Sequence, residues 1–217
     1  MKSILFYTFL LIAVFPSLAQ QDDAAYIKTL TDRAEKIVNT LGVDDKDVYK
    51  RVTETLVNQY KGLGTLHDGY DADVKVAKTA AGNDKAAVEA AVNNLKTVLD
   101  AKLYNLHCEF IGALSADLSP EQVIQVKDGM TYGVVKVTYD SYCDMIPTLK
   151  DFEKRQLMAW LVEAREHAMD APSSKAKHEW FGKYKGRFNN YLSKQGYDIQ
   201  QERKAWEERL KAQGKSL

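Results

Sequence analysis

The sequence predicts an all-α fold, a single-domain bundle of six to seven helices following a cleaved leader. Apolar residues recur mostly at three- and four-residue spacing, recognisable caps punctuate those stripes, and no two strand-like segments stand ready to pair. Composition agrees: 217 residues with 45% hydrophobic and 28% charged side chains, 4 Pro and 2 Cys exclude a disordered chain, a collagen-like chain and a disulfide-scaffolded mini-protein.

Residues 1–19 read as a signal peptide: Lys2 gives a short positive end, Ile4 to Phe15 an uncharged apolar run too short to span a bilayer, and Ser17-Leu18-Ala19 a cleavage site. No Cys follows as a lipid acceptor, so the expected mature chain, 20–217, is periplasmic or secreted with no membrane insertion. Removing Lys2 leaves 29 basic against 30 acidic residues, a balance that does not favour nucleic acid as a partner. About 200 residues bury roughly 70% of the surface an unfolded chain exposes, enough for one core. Cys108 and Cys143 fit equally a single disulfide or two separate buried thiols.

Ile27, Leu30, Ala34, Ile37 and Leu41 mark a first helix over about 23–41, closed by Gly42. Asp44 caps a second, with Val48, Val52, Leu56, Tyr60 and Leu63 as its stripe, and Gly62, Gly64 and Gly69 predict a break or kink within it. Asp84 caps a third, where Val88, Ala91, Leu95, Leu99, Leu103, Leu106, Phe110 and Leu114 predict a central core helix. Ser119-Pro120-Glu121-Gln122 is a capping box opening a short helix to about Asp128. Val134, Val135 and Val137 favour extended backbone, but no partner strand exists. The reading is therefore an extended connection over 132–137, then a short helix over 138–146. Helices over about 150–170 and 174–194 follow, and Asp198 caps a last one carrying Trp206 and Leu210.

Three constellations could carry chemistry. Trp160, Glu163, His167 and Asp170 share a helix face, and a carboxylate beside an imidazole orients its tautomer as a general acid or base requires; a surface Glu–His pair at a helix C-terminus fits the same residues. Trp180, Tyr184, Arg187 and Tyr191 form a stripe beside Lys183, Arg187 and Asn190. Flat rings next to cations and an amide suit an acidic sugar; packed rings beneath solvated cations are the plainer account. Gly182 and Gly186, one turn apart in that helix, are costly unless another backbone approaches closely. His67, Asp68 and Asp71 at the expected break could make a metal corner or an ordinary loop, and His107 reads as a hydrogen-bonded buried histidine. HExxH fails after His178, GxSxG, GxxxxGK[ST] and GxGxxG are absent, and Ser174 with Lys177 fits SxxK without its companion motifs. Nothing here calls for a cofactor or a metal.

The segments Leu118–Val123, Val126–Val134, Glu163–Asp170 and Trp180–Arg187 resemble domain of unknown function 3826, over nearly the whole mature chain, with Phe188 a conservative departure. The resemblance implies an exported helical protein of Bacteroidetes, often encoded near polysaccharide-degradation systems, and no activity. A fainter likeness to periplasmic chaperones with LTxxQ helices rests on the single Leu118-Ser119-Pro120-Glu121-Gln122. The expectation is therefore an oligosaccharide recognised or processed, with His167 as acid or base, Glu163 or Asp170 orienting it, and Tyr184 as a second proton carrier. Trp180, Lys183, Arg187, Asn190 and Tyr191 would hold the sugar. Uronate lyase or hydrolase chemistry, plain binding and a chaperone-like role stay open.

Overall fold

The computed structural model describes residues 18–215, with side chains over 24–215. Of the expected leader only Leu18 and Ala19 fall within the described residues. Eight helices are present among them: α1 (Leu18–Val38), α2 (Lys46–Ala81), α3 (Lys85–Asp117), α4 (Pro120–Met130), α5 (Val134–Met145), α6 (Asp151–Met169), α7 (Ser174–Lys194) and α8 (Ile199–Ala212). The class is as expected and the count is higher. None of these helices is long and apolar enough to cross a membrane.

Two hydrophobic clusters organise them. The first joins α1, α2, α4 and the C-terminal part of α3 around Leu56, Leu114 and Met130; the second joins α5, α6 and α7 around Leu157, Phe181 and Phe188. α6 serves both, giving Leu157, Leu161, Ala164 and Ala168 to the second and Met169 to the first. α8 buries no residue fully; its Ile199 and Trp206 pack part-buried against the second cluster, and polar bonds add to this, Trp206 Nε1 donating to Asp144 at 2.6 Å and Arg209 to the Asp144 and Met145 carbonyls at 2.8 and 3.1 Å, which satisfies the C-terminus of α5.

Caps set the helix starts. The Ser119–Gln122 capping box is present, with Pro120 in the first turn, and Asp84, Ser173 and Asp198 cap α3, α7 and α8. α2 is capped by Asp45 rather than Asp44, the Asp45 carboxylate accepting from the amides of Asp47 and Val48.

Three expectations are corrected. α2 runs unbroken through Gly62, Gly64 and Gly69. A Cβ at Gly62 would meet the Leu106 side chain at 3.0 Å and one at Gly64 the Tyr26 hydroxyl at 3.1 Å, so these glycines admit neighbours rather than bend the helix. Gly69 faces open space and nothing in the structure explains it. α3 is not a central helix: only Leu99, Phe110 and Leu114 are buried, while Val76 of α2 and Val98 of α3 lie exposed. The outer halves of α2 and α3 thus form an arm turning at Gly82–Asp84. The stripe was real, but its outer half lies mostly half-buried rather than in a core.

The third correction concerns 132–137. The chain reverses through Tyr132 and Gly133, both left-handed at φ 61° and 65°, and α5 begins at Val134. Two left-handed residues turn the chain without the extended backbone that would need a partner strand. Finally, Cys108 is exposed, Cys143 half-buried, and both are free thiols.

A left-handed residue with a side chain costs about 1–2 kcal/mol that glycine avoids. Since both substitutions remove the ring, Tyr132→Gly should exceed Tyr132→Ala in stability by about 1 kcal/mol in urea unfolding. Equal midpoints would contradict the turn geometry.

Candidate functional site

The two faces of α6 separate the residues that spacing grouped together. On the outer face, Glu163 points to α7. Its carboxylate accepts from Arg187 at 3.5 Å and from the Tyr184 hydroxyl, whose pKa is pushed up to about 12 by burial and by that bond. His167 is exposed and stacks on Trp180, ring centroids 4.5 Å apart and 14° from parallel. Asp170 turns inward: its carboxylate meets His107 Nδ1 of α3 at 3.0 Å, and its carbonyl accepts from His67 Nε2 of α2 at 2.7 Å. Neither carboxylate orients His167, and Tyr184 is buried at 7% exposure with its proton tightly held. The expected acid–base group of His167, Glu163, Asp170 and Tyr184 is not assembled.

The expected binding residues do come together. Arg187 lies over the Trp160 ring at 4.3 Å and 5.8 Å from the Tyr184 centroid; Trp160 stacks on buried Phe188 and meets Tyr191 edge-on at 5.3 Å. Lys183 Nζ stands 4.1 Å from the Trp180 centroid. These rings are covered by cations and by one another, so they work as supports, fixing where the ammonium and guanidinium groups stand. Lys183 has no carboxylate partner among the described residues. Along α7, Lys183, Arg187 and Tyr191 form one row, and Gly182, Gly186 and Asn190, all exposed, form the row beside it. A Cβ at either glycine would meet nothing within 4 Å, so the close internal approach expected there does not occur.

His67 does not sit in a loop or a metal corner. It lies within α2, and no group of three His, Cys, Asp or Glu suited to a metal occurs among the described residues. His107, expected to be buried and bonded, is the hub of an ion network. Its Nε2 lies 3.5 Å from Glu166, which also accepts from Lys127 at 2.7 Å and from Arg165 at 3.3 Å; Arg165 in turn donates to Asp128 at 2.9 Å. Hydrogen bonds to Asp170 and Glu166 raise the His107 pKa to about 9. Burial opposes ionisation of Glu166, but bonds from His107 and Lys127 outweigh it and hold the carboxyl at about 2.

A feature that spacing did not assemble lies where α1, α2, α4 and the α6–α7 loop converge. A cleft of about 490 Å³ is lined by Arg33, Lys36 and Lys177, by Tyr26, Tyr60 and Tyr132, and by no carboxylate among the described residues. Lys177 was legible only as part of SxxK; its partners come from helices far apart in sequence. Its side chain is buried, donates to the Met130 carbonyl at 2.9 Å, and is lowered to about 8 by burial and by Arg33.

Fold and site together define an all-helical protein carrying a solvent-facing row of braced cations beside bare backbone. The chain belongs to the family described as protein of unknown function (DUF3826), whose model matches residues 27–212. No curated protein matches it.

The network sets a pH dependence. His107, raised from 6.5 to about 9, contributes stability that is full below pH 6.5 and lost as pH rises through 9; Glu166, lowered from 4.5 to about 2, contributes stability lost as pH falls through that range. Relative to His107→Gln, the wild type should therefore lose on the order of 2 kcal/mol between pH 6.5 and 9.5 by urea unfolding. Lys177, which gains stability as pH rises above 8, is common to both proteins and cancels. Parallel curves would contradict the assignment.

Proposed function

We propose that this is an exported protein that recognises an acidic oligosaccharide along the outer face of α7, by binding rather than by cleavage. The observation that carries the reading is the pair Gly182 and Gly186. Each interior glycine costs about 1 kcal/mol of helix stability, and no neighbour within the protein occupies the space they leave. A ligand laid on the bare row would use that space. Lys183 and Arg187 flank it about 6 Å apart along the helix axis, one helical turn.

The chemistry follows from how the cations are held. A guanidinium braced on Trp160, with one 3.5 Å contact to Glu163, keeps donors free for a carboxylate, and its restricted motion lowers the entropy lost on binding. Lys183, braced on Trp180, adds a second charge, and Asn190 can donate to and accept from sugar hydroxyls. Catalysis has less support, because His167 is stacked on Trp180 and Tyr184 holds its proton up to about pH 12. Export and a place in glycan use rest on the leader sequence and the family resemblance.

Titration calorimetry with tetragalacturonate and neutral cellotetraose tests this. The acidic oligomer should bind and the neutral one should not, with Lys183→Ala/Arg187→Ala weakening binding at least tenfold. Gly182→Ala/Gly186→Ala should raise stability by about 1–2 kcal/mol while weakening binding, since the added methyls fill the ligand's space. Unchanged affinity in both double variants, or equal binding of cellotetraose, would refute it.

A further inference from the structure

We infer that the cleft between α1, α2, α4 and the start of α7 is a second, separate binding site, for a carboxylate or sulfate carried on a sugar-sized ring. The cleft gathers three cations from two helices, Arg33 and Lys36 from α1 and Lys177 from α7, in a chain that carries as many acidic as basic residues. None of the three is ion-paired among the described residues, and no carboxylate lines the walls. A concentration of one charge sign within low-dielectric walls costs stability unless an anion offsets it.

Lys177 is the sharpest case. It lies deep in the cleft at 7% exposure, and its one bond, to the Met130 carbonyl at the end of α4, uses one of three N–H groups. That bond accounts for a helix C-terminus being satisfied. It does not account for Arg33 and Lys36 on the facing helix, both exposed at the rim. The buried Tyr60 ring lies between, 5.3 Å from Arg33 and 5.9 Å from Lys177 Nζ, and keeps both cations directed toward one space.

The walls specify the body attached to the anion. Tyr132 is 56% exposed, stacked on His178 at 5.6 Å, and held in the left-handed conformation. An aromatic residue kept there against its steric preference marks a position that the surrounding structure over-determines. Tyr26, 44% exposed, stands on α1 among the same lining residues. Two accessible rings and about 490 Å³ suit a ligand of one or two sugar rings rather than a bare inorganic ion. The amide end of α7, capped by Ser173, adds its partial positive charge. This site does not depend on the row of Lys183 and Arg187, which belongs to a different face.

The experiment uses the Lys183→Ala/Arg187→Ala protein, so that the α7 row contributes nothing, and titrates it with digalacturonate, glucose 6-sulfate and neutral galactobiose at low salt. Binding of either acidic probe, with galactobiose silent, and at least a tenfold loss on adding Arg33→Gln or Lys36→Gln supports the site; the acid that binds identifies the anion. Lys177→Met should also abolish binding, and because it could unsettle α4, the exposed rim variants decide the matter, Lys36→Gln foremost since Arg33 also lies over the buried Tyr60 ring. Binding of galactobiose equal to the acids, undiminished affinity in the rim variants, or no binding of any probe would overturn the proposal.

Discussion

An ion network at the C-terminal end of α6 ties that helix to three others and so sets how the two hydrophobic clusters meet. Arg165, Glu166 and Asp170 reach from that helix to Asp128 and Lys127 of α4, His107 of α3 and, through a carbonyl, His67 of α2. The two hydrophobic clusters are built from different helices, and among the described residues α6 is the one helix that lends buried residues to both. Apolar contact at Met169 is too small to fix their relative position, so directional, charge-assisted bonds do it. Burying these charges would cost several kcal/mol if any were left single; here each has an opposite partner within hydrogen-bonding distance.

The functional geometry follows from that anchorage. With its inward charges committed to α2, α3 and α4, α6 presents only its opposite face to α7, where Glu163 meets Arg187 and Tyr184. The cations of α7 are then braced on Trp160 of α6 and on Trp180. The α6–α7 loop, whose start is tied down by Asp170, carries Ala171 to Ser173 onto the end of α4 and closes one wall of the cationic cleft. A change at His107 should therefore be felt at both candidate sites, although it touches neither.

What was legible in the sequence was what local rules govern. Caps at Ser119, Asp84 and Asp198 and the stripes of α1, α6 and α7 depend on near neighbours, and they stand where spacing placed them. Two misreadings were local, the cap of α2 at Asp45 rather than Asp44 and the left-handed turn at Tyr132 and Gly133; the larger ones required knowledge of a distant partner. Gly62 reads as a break until Leu106 is seen against it. The α3 stripe reads as core until the arm it forms with α2 is seen. Asp170 shares a helical face with His167 by number, but at the last turn of α6 it has an alternative partner in His107, and a charged hydrogen bond outweighs a surface pairing. The cationic cleft was invisible because Arg33, Tyr60, Tyr132 and Lys177 lie on four segments.

An acidic sugar lying on the bare row of α7 would perturb the backbone beneath it. Backbone amide chemical-shift mapping of the labelled mature chain during titration with tetragalacturonate tests it most directly, since it reports location and needs no variant. Saturable shifts are expected at Gly182, Lys183, Gly186, Arg187 and Asn190, as a set separate from those at the cleft lined by Arg33, Lys36 and Lys177, with the amides of the α2–α3 arm unmoved. No saturable shift at these five amides at millimolar ligand, whether or not the cleft or the arm responds, would contradict it.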